Sequence, residues 1–277
     1  MHELGFIGGG NMAEAIVRSA VAAGVLEASQ IIVADPSDER RAVMGGLGAA
    51  VASSNAEVAT SAKQVVLAVK PQVAEGPAGE VGAALTDERV VVSIMAGLGT
   101  AKLAAMIRAG MSRDLGDPAK RRVRLVRVMP NTPLMVGRGM SGVALGGDAE
   151  PGDDELTMRL LSAGGEAVRV DESAMDAITA VSGSGPAYLF YLAQAMEQAA
   201  GELGLGEHAP LLVSQTLGGA AELLSHSNDD AATLCRKVAS PGGTTEAALK
   251  SLEDAGVGDA IVNAVKAAEA RSRELGR

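Results

Sequence analysis

Over the first 170 positions, hydrophobic residues recur in two alternating rhythms. Short runs rich in Val, Ile and Leu occupy residues 4–7, 31–34, 65–69, 90–95, 124–129, 141–145 and 167–170, with the length and composition of buried strands. Between them lie helical patterns over 11–23, 38–45, 55–62, 78–85, 100–109 and 153–163. This alternation predicts a parallel sheet wrapped by helices, a doubly wound α/β domain. Beyond residue 171 the β-branched runs stop, and four helical stretches are expected near 173–203, 209–225, 230–238 and 245–274. The first must be interrupted at Ser182-Gly183-Ser184-Gly185-Pro186, because proline removes a backbone donor and suits the opening turn of a new helix. The expected organisation is therefore an α/β domain over 1–170 and an all-α domain over 171–277.

Within the second domain, residues 187–200 carry Tyr188, Leu189, Phe190, Tyr191, Leu192 and Met196 around most of the helical circumference. A helix apolar on all sides needs cover on all sides. So small a domain has little protein to spare for this. A second subunit is expected to supply it, making the chain a homodimer; an ordinary monomeric helical bundle is the alternative. Residues 110–122 read as a long surface loop whose Arg113, Lys120, Arg121 and Arg122 form a solvated face.

Composition narrows the partners. With 24 Lys+Arg against 34 Asp+Glu, the net charge of -10 would repel a phosphate backbone. No Trp, two Phe and two Tyr leave no platform for stacking bases, so nucleic acid is not an expected partner. The single cysteine, Cys235, excludes an internal disulfide, and His2, His208 and His226 have no zinc-ligand spacing; no metal is expected. No apolar run reaches a membrane span of roughly 18 residues, and Met1-His2-Glu3 leads into the first strand without a basic leader. A cytoplasmic chain, neither spanning nor bound to a membrane, is expected.

Gly8-Gly9-Gly10-Asn11-Met12-Ala13 follows the first strand and opens the first helix, matching G-x-G-x-x-A in the strand–turn–helix context of a Rossmann-type nucleotide site. Its glycines admit a tight turn and a close approach of backbone to pyrophosphate, and free N–H groups face the anion. At the end of the second strand, Asp35 suits a ribose 2′-OH and therefore NAD(H). Ser37, Arg40 and Arg41 would suit a 2′-phosphate and therefore NADP(H). Val69-Lys70-Pro71 and Met95-Ala96 end the third and fourth strands, where ligands of open α/β sheets bind. Asn131 and Thr132 are presented by a rigid turn between Pro130 and Pro133. Late in the chain, Ser240-Pro241-Gly242-Gly243-Thr244-Thr245 places two glycines and two hydroxyls at a helix N-terminus, a receptor for a small carboxylate or simply a helix cap.

Taken together, GFIGGGNMA at 5–13, AVKP at 68–71, VVSIMAG at 91–97, MPNTP at 129–133, AVSGSGPAY at 180–188 and SPGGTT at 240–245 resemble the pyrroline-5-carboxylate reductase family. The last two motifs are the most specific, and the resemblance covers essentially the whole chain. It implies a Rossmann domain followed by an all-α dimerisation domain that interlocks two subunits, often within larger rings of dimers. It also implies reduction of the C=N bond of 1-pyrroline-5-carboxylate to L-proline with NADPH or NADH, NADP(H) being favoured. By the same resemblance Gly8, Gly10, Asn11, Met12 and Ala13 hold the pyrophosphate. Asn55, Ala68, Lys70 and Pro71 are assigned to the adenosine and ribose, and Met95 and Ala96 to the nicotinamide end; Asp35, Ser37, Val69 and Asn131 join them as cofactor-binding candidates from their places at the strand ends. Ser240, Gly242, Gly243, Thr244 and Glu172 are assigned to substrate, with the Thr245 hydroxyl, the expected catalytic group, directed at the ring nitrogen. The alternatives are another cyclic-imine or hydroxyacid reductase of the same architecture and a non-catalytic nucleotide-sensing dimer. A hydroxyacid dehydrogenase would be expected to carry a lysine within 172–184, and none is there.

Overall fold

The computed structural model describes residues 1–85, 89–112, 114 and 116–276. Of the expected basic loop, Arg113 lies outside the described residues. The chain divides into two compact units, one comprising Met1–Ser184 with the residues from Ala268 onward, the other Gly185–Ala267.

The first unit is built on an eight-stranded sheet in the order β3-β2-β1-β4-β5-β6-β7-β8. Seven strands coincide with the hydrophobic runs: β1 (His2–Ile7), β2 (Ile31–Ala34), β4 (Ala62–Leu67), β5 (Val90–Ser93), β6 (Arg124–Met129), β7 (Gly139–Leu145) and β8 (Gly165–Arg169). The eighth, β3 (Ala50–Val51), is an edge pair too short to show a period. The first six strands are parallel, but β7 runs antiparallel to β6 and β8 follows β7 in parallel. The expectation of a wholly parallel sheet is corrected at this edge. Only the short connection 130–138 separates β6 from β7, too little for the crossover a parallel neighbour requires. Between β7 and β8 there is room for such a crossover, and α6 (Glu155–Ser162) occupies it.

Successive side chains of a strand point to opposite faces, so each central strand feeds two cores. Leu4, Phe6, Val33, Val66, Val92 and Val126 pack under α1 (Asn11–Ala22), α2 (Asp38–Gly46) and α6. Ile7, Val65, Leu67, Val91 and Leu125 pack on the other face under α3 (Asn55–Ser61), α4 (Glu75–Ala84) and α5 (Thr100–Gly110). Burying each such side chain contributes about 1.5–3 kcal/mol, and this holds the strand ends in fixed register for the loops they carry. After β8 come α7 (Met175–Ile178) and a wide turn, Thr179–Gly183, in which the Ser184 N–H donates to the Thr179 carbonyl at 2.8 Å. The expected interruption before Pro186 thus takes the form of one widened helical turn.

The second unit contains α8 (Gly185–Glu202), α9 (Ala209–His226), α10 (Ala231–Val238), α11 (Thr244–Asp254) and most of α12 (Val257–Gly276). The single stretch expected over 245–274 is therefore two helices. Gly256, at φ +68°, ends the first with the left-handed residue that helix termini favour. Asp230 caps α10 by accepting from the Thr233 N–H at 2.7 Å, and its hydrogen bonds with Thr233 hold its carboxyl below the ordinary value. Of this unit's residues only Ala209 and Val213 are buried, whereas Phe190, Tyr191, Leu211 and Leu223 are each more than 60% exposed, at 69%, 76%, 65% and 66%. Among the described residues, no helix is long and apolar enough to cross a membrane.

Candidate active site

The glycine turn closes over the carboxyl ends of β1, β2 and β4. Gly8 donates to the Ala34 carbonyl at 2.8 Å with φ at +101°, and a Cβ there would lie 2.6 Å from the Ala68 carbonyl oxygen, so only glycine fits. Gly10 is the N-cap of α1. No side chain caps this end, and a Cβ on Gly10 would meet nothing within 4 Å. The first amides of α1, from Asn11 to Ala13, are thus presented outward at the positive end of the helix. Asn11 is exposed, Met12 is half-buried, and Ala13 packs into the core as the fingerprint requires.

Beside this turn lies a cleft of about 520 Å³ whose walls include Gly8, Asp35, Arg41, Ser53, Asn55 and Val69. Asp35, Asn55 and Val69 were expected here, Arg41 was named for a 2′-phosphate, and Ser53 was not singled out. Asp35 is tied down: Oδ2 accepts from the Gly9 N–H at 2.7 Å and Oδ1 from the Ser37 N–H at 2.8 Å. Arg40 donates through Nε to the Gly9 carbonyl at 2.6 Å and pairs with Glu14 at 2.7 Å. Arg40 and Arg18 together hold the Glu14 carboxyl below the usual glutamate value, against the opposing effect of burial. Arg41 donates to the Asp35 carbonyl at 2.7 Å and is the guanidinium that lines the cleft. The Ser37 hydroxyl caps α2, accepting from the Arg40 N–H at 3.3 Å. Ala68, next along β4, donates to the Ile7 carbonyl at 2.8 Å; Lys70 is exposed and Pro71 opens a short turn.

At the end of β5 the Met95 side chain is in the core, and its N–H is bonded to the Ser93 hydroxyl at 3.3 Å. Ala96 is half-buried. Asn131 is buried and committed within the protein. It donates through Nδ2 to the Ser182 carbonyl and hydroxyl, both at 3.2 Å, and accepts through Oδ1 from the Met140 N–H at 2.8 Å. It ties the β6–β7 turn to the widened helical turn. Glu172 is also occupied: Oε1 accepts from the Thr100 N–H at 3.1 Å and from Arg127 Nη1 at 2.8 Å, while Oε2 is buried without a hydrogen-bond partner. Because the N-cap of α5 is Gly99, which has no side chain, Glu172 caps that helix from 72 residues away.

In the helical unit the Ser240–Thr245 segment is folded as a helix mouth. The Gly243 N–H donates to the Ser240 carbonyl at 2.9 Å, and a Cβ on Gly243 would fall 2.3 Å from the Ser240 hydroxyl. Gly243 is the N-cap of α11 and supplies no side-chain cap, so the amides of Thr244 and Thr245 open the helix without intrahelical partners. Thr244 is exposed and Thr245 half-buried. Glu246 was not anticipated; its Oε2 accepts from the Gly242 N–H at 2.6 Å, beside this mouth. An acidic residue in the first helical turn, able to reach back, was the available signal.

A family model described as pyrroline-5-carboxylate reductase dimerisation matches residues 172–275, and one described as NADP oxidoreductase, coenzyme F420-dependent, matches residues 3–97. The pyrroline-5-carboxylate reductase of Pseudomonas aeruginosa is 42% identical over 98% of this chain and 96% of its own length. The solved pyrroline-5-carboxylate reductase of Coxiella burnetii superposes with a TM-score of 0.87 at 33% identity, over 100% of this chain and 99% of that one. A pyrroline carboxylate reductase of Plasmodium falciparum, solved with NADP bound, gives a TM-score of 0.85 at 29% identity, over 100% and 98%. A glycine turn, a cleft at the strand ends and an amide-lined helix mouth thus occur in a chain matched along its whole length by such reductases, and the chain belongs to the pyrroline-5-carboxylate reductase family.

Proposed function

We propose that this chain reduces the C=N bond of 1-pyrroline-5-carboxylate to give L-proline, with hydride from a nicotinamide dinucleotide and NADPH preferred to NADH. The observation that carries the reading is the Ser240–Thr245 mouth, a carboxylate receptor built on two glycines, in a chain whose other end builds a pyrophosphate receptor of the same kind. The residues fit the dinucleotide: Gly8 leaves a cradle that a Cβ would fill, and α1 begins uncapped beside a cleft large enough for a nucleoside. When bound, the reduced nicotinamide supplies the hydride. Gly8, Gly10 and the amides of Asn11, Met12 and Ala13 hold pyrophosphate, while Asn55, Val69 and Arg41 line the adenosine side. Arg41, which also pairs with Asp38, brings a guanidinium to the wall of this cleft, and a guanidinium able to pair with a 2′-phosphate supports NADPH.

The amides of Thr244 and Thr245 and the Ser240 hydroxyl hold the substrate carboxylate, each charge-assisted hydrogen bond contributing about 1.5–3 kcal/mol. The Thr245 hydroxyl orients the ring nitrogen and assists its proton. A protonated imine is its own electrophile, so positioning donor and acceptor supplies most of the effect, roughly 7–11 kcal/mol of barrier where alignment is good. Residues 1–170 act as the dinucleotide-binding domain, and residues 171–277 bind substrate and pair two copies of the chain through the exposed apolar faces of α8 and α9. Cys235 is free and exposed, which suits the reducing cytoplasm in which the enzyme is expected to work. The test is a steady-state comparison of NADPH and NADH oxidation with 1-pyrroline-5-carboxylate present and absent. Substrate-dependent oxidation, faster with NADPH, is expected. No substrate-dependent rate would leave the nucleotide-sensing alternative standing, and a rate only with other cyclic imines would reassign the substrate.

A further inference from the structure

Ser272 is the only buried residue of α12, a helix otherwise open to solvent. Burial of a hydroxyl on such a helix marks a specific contact, since an unpaired one would cost free energy. Its Oγ donates to Asp176 Oδ1 at 2.7 Å. Asp176 lies one turn after Glu172, and the two carboxylates flank Arg127, with Nη1 to Glu172 Oε1 at 2.8 Å and Nη2 to Asp176 Oδ1 at 3.8 Å. Glu172 in turn accepts from the Thr100 N–H at the start of α5. A polar chain therefore runs from the C-terminal turn of α12 to the end of the loop that leaves β5.

The same tail touches the start of that loop directly. A Cβ added to Gly97 would lie 3.1 Å from Leu275 Cβ, and one added to Gly276 would lie 2.7 Å from the Gly97 carbonyl oxygen. The segment from Gly97 to Thr100 is thus held at one end by packing and at the other by the Ser272–Asp176–Arg127–Glu172 relay. Immediately before it stand Met95 and Ala96, assigned to the nicotinamide side. We propose that the C-terminal turn of α12 positions the β5–α5 loop for the nicotinamide ring, with Ser272 as its anchoring residue and Gly276 permitting the close approach. Ser272 acts through Asp176 and Arg127 and is a positioning residue; the inference rests on the dinucleotide reading above.

The test compares ligands with and without the nicotinamide on the full-length protein: NADPH and NADH against 2′-phospho-ADP-ribose and ADP-ribose. Ser272→Ala is expected to weaken binding of the intact dinucleotide about tenfold, the scale of one hydrogen bond to a charged group, and to lower kcat. Affinity for the nicotinamide-free ligand is expected to stay at the wild-type value. Gly276→Val keeps every polar group and should give the same selective loss, so the test stands even if Ser272→Ala does not fold. Parallel loss of both ligand types, or loss of neither, overturns the inference while leaving the enzyme assignment intact. A wild-type protein that binds neither type overturns the dinucleotide reading itself.

Discussion

The two units of the chain solve the burial problem in different ways. In Met1–Ser184, both faces of the sheet are covered by helices of the same unit, and Leu4, Phe6, Ile31 and Leu67 are essentially inaccessible to solvent. In Gly185–Ala267, five helical segments bury only Ala209 and Val213, and large side chains such as Phe190, Tyr191 and Leu224 stand in the open. Large apolar side chains left exposed in such number mark an interaction site, and a family model described as pyrroline-5-carboxylate reductase dimerisation matches this stretch. The difference teaches that the α/β unit covers its own core, whereas the helical unit leaves its large apolar side chains uncovered, as the proposed pairing of two copies requires.

The sharpest way to break that comparison is to charge the open face. Phe190→Asp is expected to weaken self-association by roughly a thousandfold, because a symmetric interface counts the change twice and large aromatic anchors dominate such surfaces. Sedimentation of wild type and variant across a concentration series would reveal it. An unchanged mass distribution would mean that α8 is not the dimer face. A smaller change separates chemistry from binding. Thr245→Ala is expected to lower kcat about a hundredfold, the lower end of acid–base assistance, with dinucleotide affinity retained. Unchanged turnover would remove Thr245 from the mechanism.

Within the complete unit the expected effects are smaller. Arg41→Ala should cost NADPH about tenfold in affinity and leave NADH unaffected, measured by titrating both cofactors; equal losses would place the 2′-phosphate elsewhere. The least effect is expected at Glu14, whose folded pKa is lowered chiefly by Arg40 and then by Arg18. A depressed carboxylate stabilises the fold above its unfolded value, near 4.3, and that contribution disappears as pH falls through the lower, folded value. The thermal midpoint of wild type should therefore exceed that of Glu14→Gln at neutral pH and converge on it in acid, and a constant gap would contradict the assignment.

How far each feature was legible follows from the range of the forces behind it. Gly8 could be read because the requirement for positive φ is local, and the Ser240–Thr245 mouth because helix termini depend on adjacent residues. The reversal of β7 was hidden in a loop length, since residues 130–138 carry turn signals compatible with either direction. Glu172 matched an acidic position expected at substrate, yet its carboxylate is held by Thr100 and Arg127, partners 72 and 45 residues away. Likewise Asp35 was read for a ribose contact, and only the fold shows that its oxygens also accept from Gly9 and Ser37.

By itself, then, the sequence determined the strands, the helices and the two glycine turns, because periodicity and backbone sterics act over a few residues. Only the tertiary structure decided which charged groups are already spent inside the protein and that Ser272 returns to meet Asp176 across 96 residues. Hydrogen bonds and ion pairs form wherever folding brings donor and acceptor together, and nothing in their local sequence records the meeting.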